Sequence, residues 1–204
     1  MGLERYRTLI LAVTAITALI LASPALQQFI VEPQTDRLTE MWLLGPDHTA
    51  AYPSNVTSGE NYRLYLDVSN HLGSCAYYAV EIKFRNESQS APGSFNHTNS
   101  DLPSIGKLTL LAANDQTTEM PLDITFNYKV NNATSTRLDI EDITINGVAL
   151  HPDATTINYD KDKGAFYGNL FFELYLYNQT SSTFQYNERY NSLWLKMNTA
   201  EETT

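Results

Sequence analysis

Four stretches of the chain alternate between apolar and polar positions with a period of two. Tyr62, Leu64, Leu66 and Val68 fall on one face of Tyr62–Ser69, with Arg63, Asp67 and Ser69 opposite. Tyr78, Val80, Ile82 and Phe84 alternate with Ala79, Glu81 and Lys83, and Leu122–Val130 and Leu170–Leu176 follow the same rule. Each pattern predicts a strand with one face on a core and the other in water. Arg37–Leu44, Lys107–Ala112, Arg137–Ile145 and Ser192–Met197 are further strand candidates. Asn146-Gly147, between two apolar runs, predicts a type I′ hairpin. No helical period follows residue 31, and about eight short strands separated by polar turns predict an antiparallel β-sandwich. Residues 85–106 form a 22-residue polar loop, long enough for a binding insertion. The polar tail 199–204 is expected to fray.

The N-terminus has a different character. Arg5 and Arg7 precede 24 uncharged residues, Thr8–Val31, whose apolar heart is Leu9–Ala22. As a helix this run reaches about 36 Å, against roughly 30 Å for a hydrocarbon core. Positive charge before the run and none just after it puts residues 1–7 in the cytoplasm and everything from Glu32 onward outside. The leading expectation is a transmembrane anchor over residues 8–31, giving a single-pass membrane protein with an extracellular domain at 32–204. The alternative is a signal peptide cut after the small residues Ser23-Pro-Ala25.

Charge narrows the functions open to the exported part. The whole chain has a net charge of −10, and residues 32–204 carry 11 basic against 22 acidic side chains, with no Lys/Arg cluster. Such a surface repels phosphate backbones, so nucleic-acid binding is excluded. The single cysteine, Cys75, permits neither an intramolecular disulfide nor a cysteine metal site, and a small buried residue is its expected role. Five Asn-x-Ser/Thr acceptors, at Asn55, Asn86, Asn96, Asn132 and Asn178, stand against about three expected by chance, and most fall in or beside loops where a glycan is tolerated. The four histidines are scattered singly in expected turns, and no hydrolase elbow, zinc-protease or phosphate-loop motif occurs. Asn158, Asp160 and Asp162 have the alternation of a calcium loop, with Asp139, Glu141 and Asp142 as distant helpers. Gly164 comes one residue late and Glu173 does not close the frame, so a charged turn is the better reading and Ca²⁺ the weaker one. No cofactor is implied. Tyr77, Tyr159, Tyr167, Tyr175, Tyr177 and Trp194 are candidates for a sugar-stacking platform, although strand aromatics also pair across strands.

Leu38-Thr-Glu-Met-Trp-Leu-Leu-Gly-Pro-Asp47, Tyr52-Pro-Ser-Asn-Val-Thr-Ser-Gly-Glu60, Val68-Ser-Asn-His71 and Tyr78-Ala-Val80 together resemble an archaeal membrane-protein family, domain of unknown function 1616. The resemblance is good over residues 37–84 and looser over 166–197. It implies an exported immunoglobulin-like module following membrane helices, several in typical members and one here, and it brings no activity. The resulting expectation is a non-enzymatic protein of an archaeal cell surface, structural or mediating protein interactions with envelope proteins or copies of itself. A glycan-binding module and a secreted filament subunit assembled by strand donation are the alternatives.

Overall fold

A computed structural model describes residues 6–7, 9–18, 37–93, 95–131, 136–153 and 156–199. Met1–Arg37 and Leu38–Thr204 form separate compact units. In the first, residues 9–18 are helical. Among the described residues no helix is long and apolar enough to cross a membrane. The expected span over residues 8–31 and the expected cleavage site at 23–25 lie largely outside the described residues, as do Asn132 and tail residues 200–204.

The second unit is all β. Its strands are β1 (Leu38–Leu44), β2 (Asn55–Thr57), β3 (Asn61–His71), β4 (Ala76–Arg85), β5 (Gly106–Ala112), β6 (Gln116–Val130), β7 (Arg137–Ile145), β8 (Val148–Leu150), β9 (Thr156–Asp160), β10 (Ala165–Asn178) and β11 (Thr183–Asn198). They form one curled sheet in the order β1-β3-β6-β7-β9-β10-β11-β2, with β8 on β7, and β4 followed by β5 on β10. β9 makes the corner: Leu138 faces Ile157 on one side, and Tyr159 faces Phe166 on the other.

The sheet is mixed rather than purely antiparallel, which corrects the expectation. β2 runs parallel to the end of β11, pairing Asn55 to Lys196 and Thr57 to Asn198. The reason lies in the turn after β1. A Cβ on Gly45 would sit 1.9 Å from the Ala51 carbonyl oxygen, so only glycine lets the chain fold back so tightly. The chain then meets β11 running in the same direction.

The inward faces share one core. Leu64, Leu66, Val80, Ile82, Ile124, Phe126, Phe172 and Leu174, the core expected from the alternation, are all buried in a single cluster. Each such side chain contributes roughly 1.5–3 kcal/mol on burial. The predicted hairpin is present, with Asn146 and Gly147 at φ 50° and 81° between paired Ile145 and Val148.

The expectation of a wet outer face fails on β4 and β10. Ala79, Lys83, Asn169, Phe171 and Glu173 point away from the core and are nevertheless buried. The connection between β4 and β5 supplies part of the cover, since Ser100 is itself buried and bonds to both Lys83 and Glu173. Cys75, expected to be buried, is exposed.

Candidate functional site

Strand register arranges the outer face of β5, β4, β10 and β11 in cross-strand rows. One end row is Leu111, Tyr77, Tyr177 and Phe184; the next is Thr109, Ala79, Tyr175 and Tyr186. Lys107, Glu81, Glu173 and Tyr190 follow, and Arg85, Asn169 and Trp194 close the other end. The face is therefore aromatic at one end, ionic beneath its cover at the centre, and aromatic and cationic at the far end.

The far end holds a cleft of about 530 Å³ lined by Arg85, Glu87, Lys163, Tyr167 and Trp194. Trp194 is 41% exposed, and the Arg85 guanidinium lies 4.7 Å from its ring centre. Arg85 is held in place by donating from Nε to Asn169 Oδ1 at 2.9 Å and from Nη1 to the Gln89 carbonyl at 2.8 Å. Burial holds its pKa below the usual guanidinium value. Lys163 lies 5.0 Å from the Tyr167 ring centre and bonds Glu87 at 2.5 Å and Asp160 at 3.1 Å. Those two carboxylates, Glu87 first, raise its pKa. Rings paired with fixed donors suit a ligand with one flat apolar face and a polar rim.

The six aromatics proposed as a platform do not form one. Trp194 and Tyr167 line the cleft, whereas Tyr77 and Tyr177 pack with Phe184 about 26–33 Å along the strands, with ring centres 5.2 to 5.9 Å apart. Tyr175 is buried, and Tyr159 lies edge-on to Phe166 at the β9 corner. The alternating triad is split between strand and turn: Asn158 lies within β9, Asp160 ends it and Asp162 belongs to the turn that follows, where Asp160 accepts the backbone N–H groups of Asp162 and Lys163 as well as the Lys163 ammonium. The contacts from Lys163 pull the Asp160 pKa down. Among the described residues no three acidic, histidine or cysteine side chains converge to hold a metal. Asp139 and Asp142 are engaged with Thr156 and Asn127, and Glu141 pairs with Lys129.

The glycan acceptors differ. Asn55 and Asn96 are exposed. Asn86 donates to the Thr156 carbonyl at 3.1 Å, and Asn178 donates to Gln185 while accepting two backbone N–H groups of its own turn. Three of the four histidines pair with acids, His48 with Glu119, His71 with Glu40 and Asp115, and His97 with Glu188, while His151 Nδ1 lies 3.1 Å from the Glu141 carbonyl oxygen.

The period-two reading missed two constellations. The ionic centre of the outer face, Lys83 with Glu81 and Glu173, falls on the polar side of the alternation, and nothing local marks its cover. The second is a fully buried polar tie at Asn70 and Tyr78. Tyr78 Oη lies 2.9 Å from Thr39 Oγ1 and 3.1 Å from Asn70 Oδ1, and Asn70 Nδ2 donates to the carbonyls of Ser74 and Ala112. This explains part of the shared motif as architecture: Asn70 fastens the β3–β4 turn to the end of β5. Ser58 and Tyr128 tie β2 to β6 in the same way, and the Tyr128 hydroxyl lies 2.7 Å from the Val56 carbonyl oxygen.

No curated protein matches the chain. Among solved structures, a beta-glucosidase from Listeria innocua in complex with glucose is similar over 80% of this chain at 5% identity and a TM-score of 0.40, a likeness that supports no argument on fold or function. The chain spans 16% of that enzyme's length. Residues 32–198 match the family described as Domain of unknown function (DUF1616), which covers the motif residues tied together above, and the chain belongs to that family.

Proposed function

We propose that the chain is a non-enzymatic surface protein, a β-sandwich of immunoglobulin-like kind held outside the membrane by its N-terminal segment. Its role is structural or protein-interacting within the cell envelope, of archaeal type as the family resemblance implies. The observation that carries the tether is the helix at residues 9–18. Leu9, Ile10, Leu11, Val13 and Ile16 are all exposed among the described residues, an apolar surface of the kind that a hydrocarbon core would cover. Thr14 and Thr17 return their hydroxyls to the carbonyls of Ile10 and Val13, each at 2.8 Å, so within residues 9–18 no side-chain donor is left unmet. Leu111, Tyr77 and Phe95, exposed on or beside the outer face, offer the apolar contact that a protein partner needs. Shaving intact cells with a protease that cannot cross the membrane tests this reading. Loss of the 38–199 domain from whole cells supports it, and complete protection overturns it.

The cleft favours glycan binding as a second reading. Trp194 and Tyr167 supply ring faces, and Arg85, Lys163 and Glu87 supply hydrogen bonds at their edges. Titration with envelope oligosaccharides, followed by tryptophan fluorescence, should respond through Trp194, and Trp194→Ala should abolish the response while Trp42 continues to emit.

A further inference from the structure

At the centre of the β4–β10 outer face a lysine and a glutamate are shut away from water, with a second, half-buried glutamate, Glu81, beside them. Lys83 is 2% exposed and Glu173 is 0% exposed. Glu81 pairs directly with Glu173, and Lys83 lies diagonally across from it. Lys83 Nζ is 2.8 Å from Glu173 Oε2, 3.8 Å from Glu81 Oε2, and donates to the Ser100 carbonyl at 2.8 Å. Ser100 N–H donates to Glu173 Oε1 at 2.6 Å, and the Tyr175 hydroxyl donates to Oε2 at 3.0 Å. Asn99 Nδ2 donates in turn to the Tyr175 hydroxyl at 3.2 Å.

A buried ion pair stabilises a fold poorly, because desolvating both ions offsets their attraction. Moving one proton along the 2.8 Å contact converts the pair into a neutral amine touching a neutral carboxylic acid. That acid has a backbone N–H on one oxygen and a hydroxyl donor on the other, the arrangement that stabilises a tetrahedral acyl intermediate. A second carboxylate stands beside the amine to take a proton. Strand pairing fixes the reacting groups, and such fixed contact is equivalent to about 10⁵–10⁸ M of free reactant.

We propose that Lys83 and Glu173 become joined after folding by an amide bond that staples β4 to β10. The Nζ lone pair attacks Glu173 Cδ, forming the C–N bond and placing negative charge on Oε1 against the Ser100 N–H. Glu81 takes a proton from Nζ and passes it to Oε2, which already carries the proton transferred from the ammonium. Oε2 then leaves as water while Oε1 becomes the amide carbonyl, and Glu81 returns to its starting form. One ammonium and one carboxylate give one amide and one water, with no oxidant, reductant or co-reactant. A protein whose lone cysteine denies it an intramolecular disulfide gains by this reaction a covalent tie across the middle of its sheet.

The test is the mass of the whole purified chain, produced in a host that does not glycosylate asparagine. The wild type should be lighter than its sequence requires by one water, and digestion should release a branched peptide joined through Lys83 and Glu173. Lys83→Arg should have the full mass, and Glu81→Gln should accumulate the uncrosslinked form. Should Lys83→Arg fail to fold, the wild-type mass still decides the matter. A folded wild type at full sequence mass, or a water loss mapped to other residues, overturns the staple. Crosslinking of Glu81→Gln at the wild-type rate overturns the role given to Glu81.

Discussion

Asp67 shows how one buried residue can make stability depend on pH. It is 4% exposed and its Oδ2 has no hydrogen-bond partner. Burial first, and then the neighbouring Glu119, raise its pKa above the ordinary 3.8, against an opposing pull from His48. Below pH 3.8 the acid is neutral in both the folded and unfolded chain, so its burial costs no ionisation energy. As pH rises through the folded value, the unfolded chain ionises more readily than the folded one, and stability falls. Asp67→Asn should therefore be more stable than wild type at neutral pH, with the gain fading on acidification. Chemical denaturation across the acid range checks this, and a gain independent of pH would contradict it. Tyr78 poses the opposite case, since its hydroxyl is shared by Thr39 and Asn70 in a dry site. Tyr78→Phe leaves both short of a partner and should cost about 1–3 kcal/mol, read from the same denaturation curves.

Among the strands, those wet on one face were legible in the sequence, because a period of two needs a contrast to show itself. Leu64 and Leu66 against Arg63, and Ile124 and Phe126 against Asp123, gave both strand and face. β2 and β9 were not legible: each is short and buries one residue, Val56 or Ile157, so no period can form, and the acidic alternation at Asn158, Asp160 and Asp162 suggests a turn where β9 ends. The burial of Lys83 and Glu173 was hidden for another reason. Their cover includes Ser100, 17 and 73 residues away in the chain, and no local pattern encodes a contact at that distance. Trp194 and Tyr167 could be named as ring candidates, but only register showed that they share a cleft while Tyr77 and Tyr177 do not. Core and cleft should separate experimentally. Phe126, buried between facing strands, should cost about 3–5 kcal/mol when changed to Ala. Trp194→Ala removes a ring that is 41% exposed and stacked on the Arg85 guanidinium, and should cost less than Phe126→Ala, about 1 kcal/mol. Thermal melts of the two variants check the contrast, and equal losses would mean that Trp194 belongs to the core.

For the whole molecule, surface chemistry and attachment follow from where the chain sits. Outside a membrane, the exposed acceptors Asn55 and Asn96 should carry glycans, whereas Asn86, bonded to the Thr156 carbonyl, should remain bare. Site-resolved mass mapping of native protein, compared with Asn→Gln variants, reads this directly. Attachment itself is the wider prediction. The apolar helix is expected to hold by hydrophobic transfer rather than by charge, so high salt and carbonate should not release the protein from membranes. Near the middle of the apolar run Leu9–Ala22 stands Ile16, exposed and flanked by Thr14 and Thr17, whose hydroxyls are already bonded to the helix backbone. Ile16→Lys should then cost about 2.5–3.5 kcal/mol of insertion and shift protein from the membrane to the soluble fraction. A carboxylate there should act in the same direction, and Ile16→Leu should change nothing. Native protein that begins near residue 26 and fractionates away from lipid would instead show that the segment is a signal peptide. The domain would then act unattached, or through copies of itself.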